Sequence, residues 1–204
     1  MSVFQGLDES PDLDLTSAGH ATLRHRRIRA IGADASRSLG RFGLRAEAAY
    51  VHTQDGAGTD PFTKNPFLFG VLGVDRTFLG ELNVNLQYLG RVVEHLHTLS
   101  PDAPPDVSAV AAEEAILSSQ TRRVQHGASM RASYKWLHET LETEWAAVAY
   151  AAPRGVGMRP KVTYEVTDRT MLIGGSDIFR GENRSLYGLL RPNSATYLEM
   201  RWGF

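Results

Sequence analysis

Seven histidines, one pair of them closely spaced, are where metal or acid–base chemistry would have to begin in this chain. His95 and His97 stand two apart in a stretch that alternates like a strand, so both imidazoles fall on one face and offer two nitrogen ligands. The sequence has no cysteine and no carboxylate cluster beside the pair, so two polar residues at a strand end is the simpler reading. Ser129 and His126 are three apart, which in a strand puts them on opposite faces and keeps them from acting as nucleophile and base. Gly174 and Gly175 could open a phosphate loop, but neither a lysine nor a helix start follows them; in a strand such glycines permit a bend or a close backbone approach. These residues assemble no catalytic constellation. The expectation is a protein that is not an enzyme and takes no cofactor and no metal.

What remains is charge, and its placement depends on the elements that carry it. The last nine residues put Thr196, Leu198, Met200, Trp202 and Phe204 on one face and Tyr197, Glu199, Arg201 and Gly203 on the other. Such alternation with a period of two is the mark of a strand. Leu82 to His97 repeats it, with Leu82, Val84, Leu86, Tyr88, Gly90 and Val92 opposing Asn83, Asn85, Gln87 and Arg91. A helix would mix these two sets. The apolar band from Leu82 to Val92 has ten steps of about 3.4 Å, and tilted by about 45° it rises roughly 24 Å, close to the ~25 Å belt of an outer-membrane barrel.

The alternation recurs elsewhere, giving nine strand candidates at about 27–38, 43–54, 67–78, 82–97, 120–136, 140–151, 158–167, 170–179 and 194–204. Short turns near Gly40–Gly43, Leu79–Glu81, His138–Glu139 and Asp168–Arg169 alternate with longer polar stretches at 55–66, 98–118 and 181–193, plus a medium one near 152–157. A two-residue turn at His138–Glu139 sets Lys135 opposite Glu142, Ser133 opposite Glu144, Trp136 opposite Leu141 and Ala132 opposite Trp145. A turn at Leu79–Glu81 sets Phe78 against Leu82 and Leu72 against Tyr88. Slipping either register by one residue would drive charges into the apolar layer. The polar face then gathers Arg45, Glu47, Asp75, Arg91, Arg123, Arg131, Lys135, Glu142, Glu144, Arg159, Lys161, Glu165, Glu199 and Arg201, with Asp34. Arg91, Arg123, Arg131 and Arg159 form a basic group within it. Arg76 and Asp177 break the rule, because the same register faces both toward the apolar side.

The formal net charge of −1 gives no field for nucleic acid. The apolar stretch between Lys64 and Asp75 is far short of the roughly 18 residues of a spanning helix. The N-terminal sequence has no basic and apolar run of the kind that opens a signal peptide.

The stretch GGSDIFRGENRSLYGLLRPNSATYLEMRWGF, with its terminal Phe and alternating apolar positions, resembles the end of porin-like outer-membrane β-barrels of Gram-negative bacteria. The alternation and loop rhythm resemble them over nearly the whole chain. The resemblance implies an all-β, antiparallel up-and-down transmembrane β-barrel spanning residues 1–204, with 1–20 as the remnant of an outer loop. It implies that Leu198, Met200, Trp202 and Phe204 form the sorting signal read by the barrel-assembly machinery. The implied location is the cell outer membrane, in contact with its lipid, and the implied role is passive diffusion of small hydrophilic solutes through a polar lumen lined by the charges above. Nine strands is odd where bacterial single-chain barrels have even numbers; either the chain is the C-terminal portion of a larger barrel, or a strand within residues 1–16 makes ten. Two other functions fit an all-β chain: a soluble or periplasmic barrel holding an apolar ligand inside, and a plugged structural or adhesive barrel.

Overall fold

The computed structural model describes residues 1–15, 21–78, 80–97 and 102–203. It contains twelve strands: β1 Ser2–Leu7, β2 Asp12–Leu15, β3 Ala21–Arg24, β4 Arg27–Leu39, β5 Phe42–His52, β6 Phe67–Phe78, β7 Leu82–Val93, β8 Val124–Trp136, β9 Leu141–Ala151, β10 Arg154–Thr167, β11 Thr170–Gly181 and β12 Ala195–Trp202. Ten of them form one antiparallel up-and-down sheet in the order β1-β4-β5-β6-β7-β8-β9-β10-β11-β12, while β2 and β3 pair separately. The protein is therefore all-β, as the alternation requires. β1 and β12 end the order, and no strand pairing joins them among the described residues. The tenth strand lies within residues 1–16: β1 pairs with β4 from Ser2↔Gly32 to Leu7↔Arg27. The expected outer-loop remnant at 1–20 thus includes a strand of the main sheet.

The chain divides into two compact units. One comprises Met1–Ala35, Glu47–Val71 and Gly90–His126, the other Ser36–Ala46, Leu72–Leu89 and Gly127–Phe204.

In the second unit the β8–β9 hairpin has the expected register, with Lys135↔Glu142, Ser133↔Glu144, Trp136↔Leu141 and Ala132↔Trp145. Its turn holds Leu137, His138 and Glu139 at φ 53, 56 and 72°, left-handed conformations that residues other than glycine adopt uncommonly. At the β4–β5 turn glycine takes that role, with Gly40 at φ 60°. The β6–β7 pairing brings Asn83 Nδ2 within 3.2 Å of Thr77 Oγ1, which it donates to, the neighbour demanded by opposing Phe78 with Leu82. Residues 152–157, expected as a loop, instead turn tightly, with Ala151 pairing Arg154. β10 begins there because Val156 and Met158 continue its apolar face.

The β10–β11 hairpin corrects one expectation. Thr167 pairs Thr170 beside the turn, but a bulge shifts the register, so that Glu165 pairs Met171, Thr163 pairs Ile173 and Lys161 pairs Gly175. An extra residue on one strand reverses the facing of everything beyond it on the partner. Asp177 consequently shares the face of Arg159, and their side chains pair at 2.5 Å. Arg76 stays on the apolar side, with its guanidinium over the rings of Phe42 and Phe78 at 4.7 and 4.5 Å from their centroids. Two aromatic faces take up a charge that has no ion pair among the described residues.

In the first unit, β7 stops at Val93 rather than continuing to His97, and His95 takes φ 44°. The stretch expected as a loop at 98–118 contains helix α1, Pro105–Leu117. Proline in its first turn fits a helix start, where an amide N–H has no partner to lose, and the alanines and glutamates that follow favour helix. A second short helix, α2 (Leu186–Leu189), lies in the 181–193 connection and is capped by Ser185, whose Oγ accepts from Gly188 N at 3.0 Å.

Candidate functional site

Alternation sorts the second unit's side chains into two layers. On one face lie Met130, Ala132, Tyr134 and Trp136 of β8, Leu141 and Trp145 of β9, Val162 and Tyr164 of β10, Leu172 of β11, and Leu198, Met200 and Trp202 of β12, a grouping fixed by the pairings along the sheet. Many of these remain exposed: Trp145 50%, Val162 45%, Leu198 82%, Met200 66% and Trp202 68%. Trp136 Nε1 donates to Thr143 Oγ1 across the strand pair at 3.0 Å. Of the residues expected as the sorting signal, Leu198, Met200 and Trp202 share this face, and Phe204 lies outside the described residues.

The opposite face carries charge, held in pairs. Glu144 sits between two cations, receiving Arg131 from β8 and Lys161 Nζ from β10, the latter at 3.4 Å. Lys135 faces Glu142 in the register, but its ammonium bonds Glu139 in the turn at 2.9 Å. That ammonium holds the Glu139 carboxyl below its usual pKa. Glu165 also acts electrostatically on Lys135. Glu199 and Arg201 pair at 2.6 Å on β12, and Arg45 and Asp75 lie 3.5 Å apart. Glu47, exposed on β5, belongs to the first unit.

The basic group expected from sequence is not a free patch. Arg131 and Arg159 are each matched by a carboxylate. Arg91 Nη1 donates to the carbonyls of Ser118 and Ser119 at 2.8 and 3.3 Å, with its guanidinium 4.2 Å from the Phe67 ring centroid. Arg123 is exposed beside β8, and its carbonyl accepts from Val93 N at 2.8 Å.

The 181–193 connection folds back onto this polar face. The Tyr187 ring stacks on Phe179 with centroids 6.0 Å apart and an interplanar angle of 8°. It comes so close to β10 that a Cβ on Gly157 would lie 2.6 Å from it. Burial raises the pKa of the Tyr187 hydroxyl.

The first unit holds a buried polar cluster that periodicity did not reveal. Lys64, nearly sealed from solvent, places its Nζ 2.7 Å from Asp8, 3.3 Å from Asp12 and 2.5 Å from the Ser10 carbonyl. Arg26 reaches Asp12 at 3.5 Å and Asp60 at 3.7 Å. Asn65 and Gln120 exchange hydrogen bonds: Asn65 N donates to Gln120 Oε1 at 2.9 Å, and Gln120 Nε2 donates to the Asn65 carbonyl at 2.8 Å. Burial works against ionising Asp55, but bonds from the Thr59 and Asp60 amides and the Thr59 hydroxyl outweigh it and hold its pKa below the usual carboxylate range. Burial pushes Asp12 up, against the opposing charges of Lys64 and Arg26. His97 has a structural role, with Nδ1 2.9 Å from the Gly58 carbonyl. Paired charges at 8, 12, 26, 60 and 64 carry no periodic signal, because each finds its partner through tertiary contact and not through its place on a regular element.

The described residues hold no group of three or more histidine, cysteine or acidic side chains placed to bind a metal ion, and no helix among them is long and apolar enough to cross a membrane. No protein-family model, curated protein or solved structure matches the chain.

Proposed function

We propose that the chain forms all or part of a porin-like outer-membrane β-barrel channel, through which small hydrophilic solutes diffuse along a polar lumen. The observation that carries this reading is the inverted partition of side chains. Across β8 to β12 one face carries an exposed band of aromatic and aliphatic side chains from Trp136 to Trp202 without a charge among them, while the ion-paired charges occupy the other face together with Ile173 and Phe179. Val93, Ala111, Ile116 and Ile173, with Pro66, are the buried apolar residues among those described, far too few for the interior of a water-soluble domain of this length. A broad exposed apolar face marks a surface meant for another apolar phase, and strands that satisfy one another's backbone groups suit a bilayer. A barrel enclosing an apolar ligand needs the reverse arrangement.

In this reading the polar face lines the lumen, the exposed face meets outer-membrane lipid, and the barrel-assembly machinery inserts the chain. The Arg131–Glu144–Lys161 group, two cations on one carboxylate, and the Arg159–Asp177 pair mix both signs along a wet wall without a ring of one sign, so the charges impose no strong ion selectivity. A second reading, a barrel whose passage is plugged, draws support from α2 and Tyr187 lying on the polar face.

Membrane fractionation followed by planar-bilayer recording tests these readings. The channel reading expects detergent-dependent extraction and discrete conductance steps. Insertion without conductance would favour the plugged barrel, and recovery in the aqueous fraction without detergent would overturn both.

A further inference from the structure

We propose that the cleft beneath α1 binds a small organic cation, a short-chain primary ammonium, with the Glu114 carboxylate as its counter-ion. The proposal concerns the first unit alone and does not depend on membrane placement. The cleft has a volume of about 120 Å³, room for several non-hydrogen atoms when a single water needs roughly 10–15 Å³.

Glu114 lines this cleft, and the residue is only 6% exposed. No hydrogen bond or ion pair meets its carboxylate among the described residues, and leaving a buried carboxylate unpaired is unfavourable. The nearby cations are already used. An ammonium has three N–H donors, and Lys64 spends them on Asp8, Asp12 and the Ser10 carbonyl. Arg26 divides its guanidinium between Asp12 and Asp60.

The charges facing the cleft, taken from every element around it, leave a deficit. Of the lining residues, Asp60 and Glu114 are acidic and Lys64 is the cation, its ammonium held by Asp8 and Asp12 outside the lining, while Arg91 is engaged by the Ser118 and Ser119 carbonyls. His97 also lines the cleft, with its Nδ1 engaged by the Gly58 carbonyl. Burial first, then the charge of Asp12, raises the Glu114 pKa to about 7 against the pull of Lys64. The site therefore has room for a further positive charge. The rest of the lining selects the kind of cation: Leu96, Ala111 and Ala115 offer an apolar wall for a short alkyl chain, beside Thr63, Asn65 and Gln120. A bare metal ion would want more anionic ligands than are grouped here.

Calorimetric titration of the purified full-length chain with n-butylammonium tests this. Saturable one-to-one binding is expected, with 1-butanol at least about tenfold weaker because it lacks the charge. Affinity should rise roughly tenfold between about pH 6 and about pH 8 as Glu114 ionises. E114Q should lose at least about tenfold in affinity. A115L, which fills the cleft and keeps the carboxylate, should lose binding as well and decides the matter if E114Q does not fold. Absence of saturable binding by the wild-type chain at millimolar butylammonium, or undiminished affinity in either folded variant, would overturn the proposal.

Discussion

Val162→Arg separates a lipid-facing strand surface from a water-facing one. Val162 lies within the β10 apolar series from Val156 to Val166, paired with Thr143 on one side and Gly174 on the other. At least four residues of about 3.4 Å on either side, tilted by about 45°, put it roughly 10 Å or more from each end of the band. That is farther than an arginine side chain extends, so the guanidinium cannot escape along its own strand to a polar boundary.

At such a depth arginine on the lipid face costs about 2–4 kcal/mol, a factor of roughly 30 to 900 in the folding equilibrium. In water the same substitution at a residue already 45% exposed would change stability by no more than about 0.5 kcal/mol. Thr163→Arg, one residue along, is the control, because Thr163 pairs Glu142 and Ile173 on the polar face. Denaturant unfolding in lipid vesicles, followed by the fluorescence of Trp136, Trp145 and Trp202, should show Val162→Arg destabilised by at least about 2 kcal/mol and Thr163→Arg nearly unchanged. Equal stabilities for Val162→Arg and the wild-type chain in vesicles would refute the assignment of that face to lipid.

Gly157→Val should displace Tyr187 from Phe179, since a Cβ alone already comes within 2.6 Å of the Tyr187 ring; overpacking of this kind costs about 1–3 kcal/mol. The expected readout is faster tryptic cleavage after Arg184 with the strand content unchanged. Glu114→Gln should remove a pH-dependent loss of stability. The folded-state pKa of Glu114 is raised to about 7 from 4.5, so the folded state holds this proton more tightly than the unfolded chain does. Stability from this group is full below about pH 4.5, falls by up to roughly 3 kcal/mol as pH rises to about 7, and is level above that. The difference between wild-type and Glu114→Gln denaturation midpoints should narrow at low pH and widen through this window; a difference constant with pH would contradict the burial of an unpaired carboxylate.

The sequence by itself determined nine strands of the main sheet, most of their facings and the register of the β8–β9 hairpin. Period-two alternation is local, and the penalty for putting Lys135 or Glu144 in the apolar layer fixes which residue opposes which, so Lys135↔Glu142 and Ala132↔Trp145 could be read before any fold was known. The strand at Ser2–Leu7 was legible only as an alternative, because six residues hold little periodicity. Helix α1 had a readable signal in its leading proline and its run of alanine and glutamate, obscured by the prolines and serine that precede it. Tertiary structure alone decided where Asp177 points, since one bulged residue near Thr167 reverses the facing of a whole strand and leaves no mark in composition. It also decided the partners of Lys64 and Asp12 and the isolation of Glu114. Those side chains lie far apart in the chain, where position on an element predicts nothing and only the folded backbone brings the charges together.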